Sequence, residues 1–146
     1  MSELSGPTDD ATDLTDQLTD EQVDFLNSVF DLVRAGETAT VAAFVDQGVP
    51  VDLTNAKGDT LLILAAYHEH PDLVAALLER AADPDRINGR GQTALVAAVF
   101  RQHEAIVKAL LTAGADPALG SPDARATAAY FQLPAMVGLL DRFSPS

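Results

Sequence analysis

Between residues 60 and 80 the apolar side chains fall into two short blocks of different character. Leu62, Ala65 and Ala66 make a narrow, mostly small face at helical spacing, and Leu73, Val74, Leu77 and Leu78 make a wider, bulkier one. The pattern predicts two short helices joined by a tight turn. Thr60 stands where an N-cap hydroxyl belongs, and the run Ala-Ala-Asp-Pro at 81–84 stops the second helix with a residue that tolerates left-handed backbone and a following proline. Neither helix could bury its apolar face alone.

The same pattern returns further along the chain. "NAKGDTLLILAAYHEHPDLVAALLERAADPD", from Asn55, lies over "NGRGQTALVAAVFRQHEAIVKALLTAGADPA", from Asn88, at an offset of 33 residues without a gap. Gly58 falls on Gly91, Thr60 on Thr93, Leu62 on Leu95, Ala65 on Ala98 and His70 on His103; Val74, Leu77 and Leu78 fall on Val107, Leu110 and Leu111. Shifting back by 33 aligns Val41, Phe44, Val45 and Gly48 with Val74, Leu77, Leu78 and Ala81, and Thr19 with Gln22 offers a capping box ahead of a helix carrying Val23, Leu26, Phe30 and Val33. Toward the C-terminus an offset of 29 puts Pro122 on Thr93, and Leu139 and Leu140 on Leu110 and Leu111. Stacked units of this kind bury each other's faces, which is why they come in arrays.

These residues resemble the ankyrin repeat. The family pattern of Gly, Thr, Leu and paired Ala, followed by Val, paired Leu and Gly-Ala-Asp, is met by Gly58, Thr60, Leu62, Ala65, Ala66, Val74, Leu77, Leu78, Ala82 and Asp83. It is met again by Gly91, Thr93, Leu95, Ala98, Val107, Leu110, Leu111, Gly114, Ala115 and Asp116. The family's proline is replaced by Leu61 and Ala94, its histidine by Ile63 and Val96, and its inter-helix glycine by Glu69 and Gln102. The resemblance implies an all-α ankyrin-repeat solenoid of helix-turn-helix units with short β-hairpin-like connecting loops. Repeats are expected over about residues 20–54, 55–87, 88–118 and 119–143 of one domain spanning 15–146, behind a disordered acidic tail at 1–14.

Charge modifies this picture. The 146 residues carry a formal net charge of -13, and residues 1–22 hold seven acids and no base. Such a field repels nucleic acid and anionic membrane and attracts a basic protein surface. Without cysteine there are no disulfides and no thiolate metal sites or nucleophiles. The first residues lack a basic and an apolar region, so no secretory signal is expected, and the protein is placed in the cytoplasm as a monomer. Seven arginines to two lysines in an alanine-rich chain point to a GC-rich, bacterial source.

Catalytic chemistry finds little purchase. His70 and His103 are one period apart, and the resemblance places them in the family's turn between helices, where the imidazole is expected to bond to backbone; His68 and His70 are two residues apart, the wrong spacing for shared ligation on a helix. The acid pairs sit in the leading segment and in the Asp-Pro-Asp loop at 83–85, as solvated surface. The stretch "INGRGQTALVAAVF" puts glycines ahead of a helix, as a phosphate loop does, but Gly91 simply repeats Gly58, so it reads as a turn. No enzyme activity, cofactor or metal is expected.

The resemblance places binding on the concave face, made of hairpin tips and the exposed side of each first helix. Its candidate partner-binding residues here are Lys57, Asp59, Tyr67 and His68 in one unit and Arg90, Gln92, Phe100 and Arg101 in the next, with Tyr130 near the same row. Aromatic residues and arginine are what interface hot spots are made of. The function expected is a protein-protein interaction module with an unidentified protein partner. The alternative is an acidic inhibitor or immunity-type protein that neutralises a basic effector, and a third reading has the last helix mediating self-association.

Overall fold

The computed structural model describes residues 18–143, so the acidic tail expected at 1–14 lies outside the described residues. Among the described residues eight helices follow one another as four pairs: α1 (Asp20–Ala35) with α2 (Thr38–Asp46), α3 (Leu61–Tyr67) with α4 (Pro71–Glu79), α5 (Ala94–Phe100) with α6 (Glu104–Thr112), and α7 (Ala124–Tyr130) with α8 (Pro134–Phe143). The fold is all-α. Between pairs the chain makes hairpin-like turns without extended strands among the described residues, marked by a single bridge from Thr54 to Thr60 and another from Gly120 to Asp123.

Each first helix starts where a side chain can take up a free N–H. Thr60 Oγ1 accepts from the Ile63 amide at 3.0 Å, Thr93 Oγ1 from Val96 at 3.1 Å, and Asp123 Oδ1 from Ala126 at 2.8 Å. The first pair differs because, among the described residues, no further helix pair precedes it. There α1 runs eight residues past the span equivalent to α3 and closes with the Thr19–Gln22 capping box. Phe25 of this extension meets Phe44 edge-on at 5.2 Å.

The small residues of the first helices are what allow close stacking. Leu61 through Ala66 and Ala94 through Val99 are buried without a break, because each of α3 and α5 is clasped by a first helix on both sides and by its own second helix. In α7 only Ala124, Thr127 and Ala128 are buried. Arg125 occupies the position that Leu62 and Leu95 fill in the inner units, and it pairs with Asp141 of α8. A polar pair thus stands where an inner unit has a core leucine.

The register of the last unit is corrected by the structure. Asp123, not Pro122, is the N-cap of α7, and the left-handed turn residue Gln132 matches Gln102, so the offset is 30 rather than 29. At that offset Leu140 replaces Leu110, Met136 replaces Ile106, and Tyr130 falls directly on Phe100. The Leu139–Leu140 pair had suggested the other register.

The turn between helices adopts left-handed backbone in every unit, at Gly36, Glu69, Gln102 and Gln132. A second left-handed position follows the second helix, at Gly48, Ala81 and Gly114. At Ala81 (φ 69°) the amides of Ala81 and Ala82 return to the Leu78 and Leu77 carbonyls, closing α4 as a Schellman-type stop. A Cβ in this conformation costs about 1–2 kcal/mol, partly offset by the extra freedom glycine has when unfolded. Ala81→Gly should therefore raise stability by about 0.5–1 kcal/mol. A urea midpoint moved upward at unchanged slope is the expected reading, and a lower midpoint would contradict it.

Candidate functional site

The hairpin tips are built by two asparagines. Asn55 Oδ1 accepts from the Lys57 and Asp59 amides at 2.9 and 3.0 Å, and Asn88 Oδ1 accepts from Arg90 and Gln92, both at 2.9 Å. Gly58 and Gly91 turn each tip with φ near +80°, a conformation that suits a residue without Cβ. The tips also interlock: the Gly89 amide donates to the Lys57 carbonyl at 2.9 Å, and Ser121 donates to Gly91 at 2.8 Å. A second ladder runs through the loop aspartates, with Asp52 accepting from the Asp83 amide and Asp85 from Asp116. Of the Asp-Pro-Asp acids, Asp85 thus ties its unit to the next, while Asp83 accepts from the Asp85 amide within the loop.

Within this framework Asp59 is not a surface residue. It is 4% exposed, and its Oδ1 accepts from Asn88 Nδ2 at 2.7 Å, so its carboxylate is engaged in joining the second and third units. Asp59 is therefore removed from the partner-contacting set. Gln92 Oε1 accepts from the same amide at 3.3 Å and is half-buried.

Between the tips and the first helices lies a shallow cleft of about 210 Å³. It brings together six of the nine candidates, Lys57, Asp59, Tyr67, His68, Arg90 and Gln92, and adds Arg34 and Asn55. Arg34 stands 33 residues before Tyr67, so subtracting one period from the aromatic row would have found it. Phe100, Arg101 and Tyr130 lie outside the cleft but continue its wall.

That wall has a regular cross-repeat pattern. Tyr67, Phe100 and Tyr130 end their first helices, Arg34 holds the same repeat position one residue before the end of α1, and His68, Arg101 and Phe131 occupy the next position. Arg101 of the third unit sits over the Tyr67 ring of the second, its guanidinium carbon 5.2 Å from the ring centre, while its Nη2 donates to Glu69 Oε2 at 2.6 Å. Phe131 of the fourth unit meets Phe100 of the third edge-on at 5.2 Å and Tyr130 at 4.9 Å. The face therefore grades from cationic at Arg34 to aromatic at Tyr130. Tyr67 and Phe100 remain 40% and 43% exposed despite these contacts, and Tyr130 is 80% exposed. Phe131, at 47%, belongs to the same row and was not anticipated.

This arrangement of units is diagnostic, and the family model for ankyrin repeats matches residues 30–120 as three copies. The chain belongs to the ankyrin-repeat family. An ankyrin repeat protein of Pseudomonas aeruginosa is similar, 43% identical over 58 residues, which is 40% of this chain. The matched part spans about a third of that relative's length. Ankyrin-repeat proteins are generally non-catalytic modules for protein-protein interaction, and no group of three or more potential metal-ligating side chains converges among the described residues. No described helix is long and apolar enough to cross a membrane.

Two of the three histidines of this ankyrin domain have hydrogen-bond partners in the backbone. His70 Nε2 lies 2.7 Å from the Arg34 carbonyl oxygen and donates to it, satisfying an end carbonyl of α1, and His103 Nδ1 accepts from the Ile106 amide at 3.3 Å. His68 is different. Burial holds its pKa below the usual imidazole value, helped by His70, Arg34 and Arg101 and opposed by Asp59. A histidine whose folded pKa is depressed binds its proton more readily when unfolded, so protonation favours unfolding. Stability should fall as the pH drops below about 6.5, the unperturbed value, and level off below the folded pKa. Denaturant midpoints between pH 5 and 8 for the wild type and His68→Gln test this: the variant should lose that step, and an identical pH dependence would refute it.

Proposed function

We propose that this ankyrin domain binds a protein partner non-catalytically, across the face formed by the hairpin tips and the ends of the first helices. The observation carrying this reading is the row of Arg34, Tyr67, Phe100 and Tyr130, aligned on one side of four stacked units, with the cleft beneath its first half. Large rings held at helix ends lose little freedom on binding and offer much area, which suits an interface centre. Lys57, Arg90 and Gln92 supply polar contacts from the tips, and His68 and Arg101 brace the aromatic wall. On this reading the protein works in the cytoplasm, and as a monomer, since the exposed Arg125–Asp141 pair stands at the position of the inner units' core leucine.

The alternative of an acidic inhibitor draws on the net charge of -13. The cleft favours the opposite sense, because its lining holds Lys57 and Arg90, neither paired to a carboxylate among the described residues, while its one carboxylate, Asp59, is buried against Asn88. Affinity capture from the native cell tests the main reading, with wild type and a Tyr67→Ala/Phe100→Ala double variant in parallel. A partner retained by the wild type and lost by the correctly folded variant is expected; equal recovery by both would defeat the assignment of this face.

A further inference from the structure

A cationic cleft is unexpected on a protein with 22 acids and nine bases. Five of the seven arginines are committed to carboxylates: Arg34 to Asp31, Arg80 to Asp46, Arg86 to Asp83, Arg101 to Glu69 and Arg125 to Asp141. Lys57, Arg90, Lys108 and Arg142 have no carboxylate partner within ion-pair distance among the described residues. Two of these four stand on adjacent hairpin tips, at the lip of the same cleft. Their backbones are fixed by Asn55 and Asn88 and joined by the Gly89–Lys57 hydrogen bond, so the two charges are presented on a rigid base. Asp59, the carboxylate closest in sequence to either tip, is turned inward and held by Asn88.

Building on the face assigned above, we infer that the cleft receives an acidic segment of the partner protein, an extended stretch bearing at least two carboxylates beside a large apolar residue. Lys57 and Arg90 take the carboxylates, and the apolar side chain reaches along the wall toward Phe100 and Phe131. Neighbouring units stack at roughly 8–10 Å, the usual distance between packed helices. A segment in polyproline conformation repeats its side-chain direction every three residues over about 9 Å, so acids three positions apart match the two tips. Arg34 also lines the cleft on the helix side, but its charge is already paired with Asp31, so the two tip cations carry the recognition. The net charge of the whole protein opposes such a ligand at long range. At 0.15 M salt the screening length is about 8 Å, so the charges inside the cleft decide the outcome rather than the distant surface.

The test measures binding to the full chain at 0.15 M salt by fluorescence anisotropy. Its probes are a labelled glutamate-rich peptide with a central leucine–phenylalanine pair and versions carrying glutamine or lysine in place of glutamate. The acidic probe should bind saturably, the glutamine version at least tenfold more weakly and the lysine version not at all. Lys57→Glu/Arg90→Glu should weaken the acidic probe at least tenfold, whereas Lys108→Glu/Arg142→Glu, the same charge change on α6 and α8, should leave it within twofold. Equal binding of acidic and glutamine probes would overturn the charge assignment while leaving the aromatic wall in place. Equal losses in the two charge variants would reduce the effect to net charge and also overturn it. If neutralising the leading segment (Asp9→Asn, Asp10→Asn, Asp13→Asn and Asp16→Asn together) raises affinity tenfold, the chain's own acidic stretch occupies the cleft, and the assignment to a separate partner falls. Failure of the acidic probe to bind, with a native partner still lost by Tyr67→Ala/Phe100→Ala, would defeat the acidic ligand and spare the face.

Discussion

Asn88→Ala should lower the unfolding free energy by about 3 kcal/mol, far more than its size or polarity would suggest. Asn88 is 6% exposed and serves four groups at once: its oxygen accepts from the Arg90 and Gln92 amides, and its nitrogen donates to Asp59 and to Gln92 Oε1. Alanine leaves two turn amides to find other partners and strands a buried carboxylate without its donor. Losing one partner of a buried charged group is more costly than losing both. Asp59→Asn combined with Asn88→Ala should therefore recover part of the loss. Asn55→Ala is the contrast, because Asn55 bonds only to amides of its own turn among the described residues and no preceding carboxylate rests on it. It should cost about 1 kcal/mol. Urea denaturation of the four proteins decides the matter, and equal losses at 55 and 88 would contradict the cross-repeat role given to Asn88.

A second large effect is expected at Leu95. Leu95→Ala should destabilise by about 3–4 kcal/mol, through lost burial and the cavity left behind. Leu95 is 1% exposed in α5, which packs against both α3 and α7, so the lesion weakens two interfaces of a linear array at once. Arg125 holds the same repeat position in α7 and is exposed, so Arg125→Ala should cost no more than about 1 kcal/mol. Thermal or urea unfolding in which the two variants lose similar stability would refute the contrast between an inner and an outer unit.

The periodic part of this structure was legible in the sequence because repetition is itself the signal. The 33-residue offset gave the helix pairs, the threonine caps, the turn glycines and the alignment of Tyr67 with Phe100. What it could not give were contacts between unlike residues of different units. Asp59 reads as a tip residue by position, yet the amide that buries it comes from Asn88, 29 residues on, outside the repeat period. Arg34 lay one period before Tyr67 but was obscured because α1 carries none of the repeat's first-helix residues. In the last unit the Leu139–Leu140 pair matched Leu110–Leu111 so well that it set the register by one residue too few. The left-handed Gln132 and the cap at Asp123 fix it at 30. Phe131 was missed for the same reason, since only the corrected register places it in the row of His68 and Arg101.

Side-chain chemistry in the cleft depended on geometry more than on composition. Net charge suggested a basic partner, but most arginines proved to be neutralised by neighbouring acids, leaving the two tip cations as the local exception. Hydrogen exchange of the partner complex, captured as described above, measures the central claim most directly. The account predicts added protection at residues 55–59 and 88–92 and at the ends of α3 and α5, with α4 and α6 unchanged. Protection concentrated on α4 and α6, with the tips exchanging as in the free protein, would contradict it.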